Sequence, residues 1–125
     1  MNLRSLVKPL GWFSIGLGVA ELLAPRRIAE AHGEPRADTL VRGFGVREIA
    51  AGIGILAAPQ RSAGLWTRAA GDVLDIGAAG LAAAKGRGRA RAIALGSLAF
   101  CAGALAIDLL TARAVAEPAP EPAPA

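Results

Sequence analysis

The sequence has no tyrosine and only one cysteine, one histidine and one methionine among its 125 residues. One cysteine cannot form a disulfide within the chain, and together with a single histidine it cannot supply the four ligands of a structural zinc site. Charged residues are also scarce, at 19% of the chain, whereas 54% of the residues are hydrophobic. These proportions exclude a disordered protein and a disulfide-rich secreted domain, and the length leaves room for one domain.

Aromatic residues are few as well, since the chain has three phenylalanines and two tryptophans. They do not alternate with basic residues, as a nucleic-acid-binding surface would require, although the net charge is +4. Most lysines and arginines instead flank apolar stretches, which is typical of contact with anionic lipid headgroups. We therefore expect the lipid bilayer as a partner, and no nucleic acid.

Four apolar stretches of 16 to 23 residues are rich in alanine and leucine and lack the period-two alternation of strands. They lie at about 9–24, 40–58, 63–84 and 91–113. A helix needs roughly 20 residues to cross the hydrocarbon core of a bilayer. The pattern predicts an all-α fold, a polytopic membrane four-helix bundle with short loops. Residues 1–116 would form this single domain, with a disordered Pro/Ala-rich tail at residues 117–125.

Two other interpretations of these stretches stay open. A soluble bundle would need a broad polar face on each helix, whereas here the polar stripes are narrow. A cleaved signal peptide at residues 1–24 would use Arg4 and Lys8 as its basic region, but Glu21 interrupts its apolar end. We also expect a short surface helix in the polar connection at residues 24–38.

Lysine and arginine counts in the loops predict the orientation. The first and third loops carry seven basic residues, whereas the second loop and the two termini carry four. Because the side richer in lysine and arginine is usually cytoplasmic, we expect a cell-membrane protein with both termini outside the cytoplasm.

Eight ionisable residues lie inside the predicted spans, where a charge at the bilayer centre costs at least ~2.5–3.5 kcal/mol. They are Glu21, Arg42, Arg47, Glu48, Arg68, Asp72, Asp75 and Asp108. Three are basic and five acidic, so the spans carry a charge of −2 while the remainder of the chain carries +6. Each of these groups needs a partner or a wet cavity.

Small and polar residues follow one face of each predicted helix, at spacings of three and four residues. They are Gly11, Ser14, Gly18 and Glu21 on the first; Arg42, Gly45, Glu48 and Gly52 on the second; Arg68, Gly71, Asp72 and Asp75 on the third; and Ser97, Cys101, Ala104 and Asp108 on the fourth. Stripes of this kind favour close helix packing in lipid.

If neighbouring helices are antiparallel, the position of a charged residue along its helix gives its approximate depth in the bilayer. Glu21 and Arg42 fall near the side of the first loop, and Arg68 and Asp108 fall nearer the opposite side. We predict that these are two structural pairs.

Arg47, Glu48, Asp72 and Asp75 remain near the middle and form a predicted buried polar cluster, in which one cation faces three acids. At least one acid of such a cluster should stay protonated at neutral pH, or the site should hold a cation or a proton-donating ligand. The surplus of acids over bases favours a binding or reactive site. A purely structural role, in which the cluster holds the helices together, stays open.

Two strings of residues resemble a known family. They are Arg42-Gly-Phe-Gly-Val-Arg47-Glu48, followed by Gly52 and Gly54, and Trp66-Thr-Arg68-Ala-Ala-Gly71-Asp72-Val-Leu-Asp75. They resemble small four-helix integral membrane proteins of bacteria, often labelled cyclase/dehydrase because some members are fused to a START-like domain. The resemblance covers about residues 5–113 and implies a bacterial inner-membrane protein of unestablished role. Since no START-like domain fits in this chain, a separate START-like protein is a candidate partner.

Three classes of function remain. The cluster could bind or transform a hydrophobic small molecule such as an isoprenoid, quinone or epoxide, with Asp72 or Asp75 as general acid and Arg47 polarising an oxygen. The chain could be a small proton-coupled transporter that uses Glu21, or a scaffold that docks a partner protein. Enzymatic activity and homo-oligomerisation are left open, and the sequence assigns no catalytic residue, metal or cofactor.

Nucleophilic catalysis has little support in the sequence. We expect His32 in a surface loop and Cys101 packed among apolar residues of the fourth span.

Overall fold

The structure, a computed structural model, describes residues 2–118 and 122–124. These described residues contain five α-helices and no strands, which confirms the all-α prediction. The helices are α1 (Val7–Leu23), α2 (Pro25–Ala31), α3 (Asp38–Ala57), α4 (Ala63–Lys85) and α5 (Gly88–Ala116). Short 3-10 helices at Leu3–Leu6 and Pro35–Ala37 precede α1 and α3.

The four long helices coincide with the four apolar stretches, and α2 is the short helix expected in the first connection. Pro25 begins α2, because its fixed φ suits a first helical turn and its missing N–H is not needed there. Gly33, with a φ of 76°, ends it. The N–H of Gly33 donates to the carbonyl of Glu30 and that of Glu34 to the carbonyl of Ala29, each at 2.9 Å, which is a Schellman motif.

The long helices pack most extensively as two pairs, α1 with α3 and α4 with α5. Glycines bring the first pair close together. A Cβ added to Gly18 would lie 2.5 Å from the carbonyl oxygen of Gly45, and one added to Gly52 would lie 2.6 Å from that of Gly11. The predicted stripes of small residues on α1 and α3 therefore do face each other, and their backbones are in contact.

Two small apolar clusters lie on either side of the charged residues along the bundle. The first contains Val7, Ile55, Leu65 and Ala112. It lies at the end of the bundle where α1 and α4 begin and α3 and α5 end. The second contains Ala82, Ala83 and Ala94, at the turn between α4 and α5. The middle of the bundle is left to polar side chains.

Charged side chains lie inside the bundle, and large apolar side chains lie on its surface. Glu48, Arg68, Asp72 and Asp108 are each at most 4% exposed. Every long helix exposes large hydrophobic residues, which include Trp12 on α1, Val46 on α3, Leu74 on α4 and Leu110 on α5. Charged side chains are seldom fully buried in proteins unless they are paired.

Two stretches, Leu3–Leu23 and Gly88–Ala116, are long and apolar enough to cross a membrane. A core helix of a soluble protein, or a signal sequence near the N-terminus, can meet the same condition. α3 and α4 do not meet it, because they carry most of the charged residues of the interior.

The predicted disordered tail at residues 117–125 falls partly outside the described residues, which omit 119–121 and 125. Arg4 joins the start of the chain to the end of α5. Its Nη2 donates to the carbonyl oxygen of Glu117 at 2.6 Å and its Nε to that of Ala114 at 3.1 Å. The N-terminal segment and the end of α5 therefore lie at the same end of the bundle.

Candidate functional site

Hydrogen bonds connect the four long helices through the middle of the bundle. The Ser14 hydroxyl of α1 lies 2.6 Å from Oε2 of Glu48 and 2.6 Å from its carbonyl oxygen on α3. On α4, Arg68 donates from Nη1 to the same Oε2 at 2.9 Å, and from Nε to Oδ2 of Asp108 on α5 at 3.0 Å. Each helix thus contributes one side chain to a continuous polar connection.

Arg47 adds a second link between α3 and α4. Its Nη2 donates to Oδ2 of Asp75 at 2.8 Å and to Oε1 of Glu48 at 3.1 Å, and its Nη1 donates to the carbonyl oxygen of Gly71 at 3.1 Å. A Cβ on Gly71 would lie 2.7 Å from the guanidinium carbon, so a larger residue there would displace the Arg47 side chain. We call Ser14, Arg47, Glu48, Arg68, Asp75 and Asp108 the interior network.

The structure brings together the four residues of the predicted polar cluster. Arg47 bonds to Glu48 and Asp75, and one carboxylate oxygen each of Glu48, Asp72 and Asp75 lie within 4.8 Å of one another. Asp72 is buried but forms no ion pair with any residue in the described part of the chain.

Arg68 and Asp108 are also brought together, as the pairing of charges predicted. They do not form a separate pair, however, because Arg68 also bonds to Glu48 and so belongs to the central group. Their positions along the helices predict different depths for Arg68 and Glu48. The arginine side chain is long, however, and extends its guanidinium beyond its own helical turn.

The predicted pair of Glu21 and Arg42 is corrected by the structure, which does not bring these residues together. On α3 the buried face is centred on Gly45 and Glu48, and Arg42 lies at the edge of that face and is exposed. Glu21 is half-buried on α1 and lines a cavity instead.

Carboxyl groups outnumber guanidinium groups in the interior. Arg47 and Arg68 face four buried or half-buried acids of α3, α4 and α5, and Glu21 of α1 is a fifth. Within the described residues, four buried carboxyl oxygens have no hydrogen-bond partner; they are Oε1 of Glu21, Oδ2 of Asp72, Oδ1 of Asp75 and Oδ1 of Asp108. A buried acceptor without a partner is costly, so these oxygens can take up a proton or accept from a donor group of a ligand.

Glu48, Asp72 and Asp75 are close enough together to hold a cation. Both oxygens of Glu48 and Oδ2 of Asp75 already accept hydrogen bonds from arginines, however. The guanidinium groups supply positive charge where a metal ion would otherwise do so, and Asp72 is the one carboxylate of the three that no arginine binds. This arrangement suits a proton or an organic cation better than a pre-arranged metal site.

A cavity of about 240 Å³ lies beside the interior network and is lined by residues of all five helices. Most of its wall is apolar and is formed by Leu17, Ile28, Ala29, Ala37, Leu40, Val41, Phe44, Ala78, Ala79, Ala82 and Phe100. Its polar lining residues are Glu21, His32, Glu34, Asp75, Ser97 and Cys101. The described lining residues therefore include three acids and no lysine or arginine.

His32 lies in the turn that follows α2, as expected of a loop residue, but it is half-buried there and not on the surface. Its Nδ1 lies 2.7 Å from the carbonyl oxygen of Ile28, and its Nε2 lies 2.7 Å from the hydroxyl of Ser97 on α5. Because a carbonyl can only accept, Nδ1 donates to it, and in the neutral imidazole Nε2 accepts from Ser97. Pro25 and Gly33, which bound α2, were the signal in the sequence for this placement.

Comparisons with known protein families, with curated proteins and with solved structures found no match for this chain. The resemblance of the strings in α3 and α4 to the cyclase/dehydrase-labelled family, and the START-like partner that it implies, stay predictions.

Proposed function

We propose that the chain is a small multi-pass integral membrane protein that binds a lipid-soluble small molecule in the cavity beside the interior network. In this proposal α1, α3, α4 and α5 cross the bilayer, α2 lies at its surface, and the interior network is at mid-depth.

The distribution of side chains supports the membrane location. Large apolar side chains such as Trp12, Leu23 and Leu74 are more than 60% exposed, whereas Glu48 and Arg68 are 2% exposed. Lipid chains would cover the apolar surface, and the ion pairs would satisfy the charges inside. Four helices with apolar outer faces cannot all bury those faces against one another in a chain of this length, so lipid would cover the remainder.

Residues at the terminus end of the bundle fit a membrane interface. Trp12 and Trp66 are exposed on α1 and α4 near this end, as aromatic residues of an interfacial belt would be. Lys8, Arg61 and Arg113 are exposed or half-buried at the same end and would contact lipid headgroups. The larger number of basic residues at the other end favours both termini outside the cytoplasm.

The single observation that carries the binding proposal is that two residues with an unpartnered carboxyl oxygen line the cavity. Oε1 of Glu21 and Oδ1 of Asp75 are buried acceptors without a hydrogen-bond partner among the described residues, and both residues line an otherwise apolar space. A ligand with an apolar body and one donor group would fill this space and supply the missing hydrogen bond.

Native mass spectrometry of the protein purified in a mild detergent tests this proposal. We expect a small hydrophobic molecule to copurify with the protein. Ala78→Phe, which fills the cavity, should remove that molecule, whereas Ala70→Phe, on the exposed face of the same helix, should retain it. A protein that carries no small molecule, or loses it equally in both variants, would contradict the proposal.

Proton-coupled transport is a second candidate. It is favoured because Glu21 does not form the predicted ion pair with Arg42. A carboxyl group at a cavity that no arginine neutralises can exchange a proton for a substrate. Efflux driven by a proton gradient in reconstituted vesicles, abolished by Glu21→Gln, would favour transport over binding alone.

A further inference from the structure

We propose that the cavity takes a lipophilic cation with a protonated amine, which Glu21 and Asp75 bind in preference to a neutral or anionic molecule. This inference rests on the proposed function, because it names the chemical class of the ligand of the same cavity.

Charge is the first argument. Glu21, Glu34 and Asp75 line the cavity, and its described lining contains no lysine or arginine. The nearby guanidinium of Arg47 already pairs with Glu48 and with Oδ2 of Asp75. Glu21 forms no ion pair with any residue in the described ranges. Arg47 therefore matches the charge of Asp75 but leaves that of Glu21 without a partner, and an organic cation would supply one.

Hydrogen-bonding capacity is the second argument. The unpartnered oxygens of Glu21 and Asp75 can accept. The strong donors of the polar lining are already used, because Nδ1 of His32 donates to Ile28 and the Ser97 hydroxyl pairs with Nε2 of His32. The Cys101 thiol is the remaining donor of the described lining and is a weak one. A carboxylate or phosphate ligand would find acceptors where it needs donors. A protonated primary amine has three N–H donors and fits this lining.

The aromatic lining is the third argument. Phe44 and Phe100 both line the cavity. The faces of such rings attract cations, and the Phe44 ring already has the Arg47 guanidinium carbon 5.2 Å from its centre. The remaining wall is aliphatic, so it would contact the apolar body of the ligand while the amine reaches the carboxyl groups.

Four probes with one apolar cage and different head groups test the inference. They are 1-adamantylamine, 1-adamantanol, adamantane-1-carboxylate and N,N,N-trimethyl-1-adamantylammonium. Binding is measured by equilibrium dialysis against the full chain in bilayer discs of uncharged phosphatidylcholine, with empty discs to subtract partitioning. We expect the primary amine to bind at least about tenfold more tightly than the alcohol, since hydrogen bonds to charged groups are the stronger ones, and the carboxylate to bind most weakly.

Glu21→Gln keeps the size of the side chain and removes its charge. It should weaken binding of the amine about tenfold and binding of the alcohol much less, because a neutral hydroxyl forms the weaker hydrogen bond to a carboxylate. Retained binding of the alcohol reports that the cavity is intact. The matched control is Glu30→Gln, because Glu30 is exposed on α2 and does not line this cavity. It should change neither affinity.

The possible results separate the two proposals. A carboxylate that binds as tightly as the amine, or an amine affinity that Glu21→Gln does not change, would overturn the inference. Tighter binding of the trimethylammonium than of the primary amine would overturn the assignment to a hydrogen-bonded amine. Alcohol and amine binding with equal affinity would overturn the inference but support the proposed function, and binding of none of the four would overturn both.

Discussion

Removing the charge of Arg68 should destabilise the bundle more than removing any exposed arginine. Arg68 is 2% exposed and bonds to Glu48 and Asp108, whose side chains are 2% and 0% exposed. In Arg68→Met the carboxyl group of Asp108 loses its arginine partner, and that of Glu48 keeps only its ion pair with Arg47. Since Oδ1 of Asp108 has no partner among the described residues, its carboxyl group would lose the one ion pair that it has.

The expected loss follows from these two bonds. A hydrogen bond to a charged group contributes about 1.5–3 kcal/mol, and breaking a buried ion pair by removing one partner costs about 3–5 kcal/mol. We therefore expect Arg68→Met to lower the free energy of unfolding by about 3–5 kcal/mol. Adding Asp108→Asn to this variant should recover part of the loss, because residues in one network are not additive.

Unfolding in mixed micelles, followed by the helical circular dichroism signal, measures this loss. Arg42→Met is the matched control, because Arg42 is exposed and forms no ion pair in the described part of the chain. It should change stability by less than about 0.5 kcal/mol. Equal stabilities of the two variants would refute the reasoning that the interior network holds the helices together.

Three further predictions concern other parts of the structure. Gly18→Ala should destabilise the protein by about 1–3 kcal/mol, because its Cβ would lie 2.5 Å from a carbonyl oxygen of α3, whereas Gly16→Ala, with no atom within 4 Å, should not; thermal unfolding compares them, and equal losses would contradict close packing. Ser97→Ala should cost about 1 kcal/mol, and His32→Ala more, because His32 also bonds to the carbonyl of Ile28; the double variant should cost no more than His32→Ala in the same thermal unfolding, and a fully additive double variant would refute a direct hydrogen bond. A cationic methanethiosulfonate should modify Cys101 about tenfold faster than an anionic one, because acids line the cavity; mass spectrometry follows both rates, and equal rates would argue against an acidic cavity.

Helix positions could be predicted from the sequence because each depends on local features. The apolar stretches define the four long helices, and Pro25 and Gly33 define α2. The stripe of Gly11 and Gly18 on α1 predicted close packing, because only residues without a large side chain let two backbones touch. These inferences need no knowledge of which helices are neighbours.

Ion-pair partners could not be predicted in the same way, because they depend on where side chains end. The position of a residue along its helix gives the depth of its backbone only. The backbone of Arg68 lies at a different predicted depth from that of Glu48, but its guanidinium reaches the Glu48 carboxylate. Arg42 has the correct spacing for the stripe on α3 but lies at its edge, which turns it outward. The cavity depends on α2 folding across α3 and α5, which no local pattern contains.

The interior network has a consequence for how the chain would enter a bilayer. α1 and α5 are apolar enough to insert singly. α3 carries Arg47 and Glu48, and each uncompensated charge costs at least ~2.5 kcal/mol at the bilayer centre. Arg47 and Glu48 pair with each other, and their other ion-pair partners are on α4, which follows after a connection of residues 58–62. In the membrane-spanning arrangement proposed above, α3 and α4 should therefore insert together as a paired helical hairpin, and network variants would lower the yield of inserted protein before they alter the finished molecule.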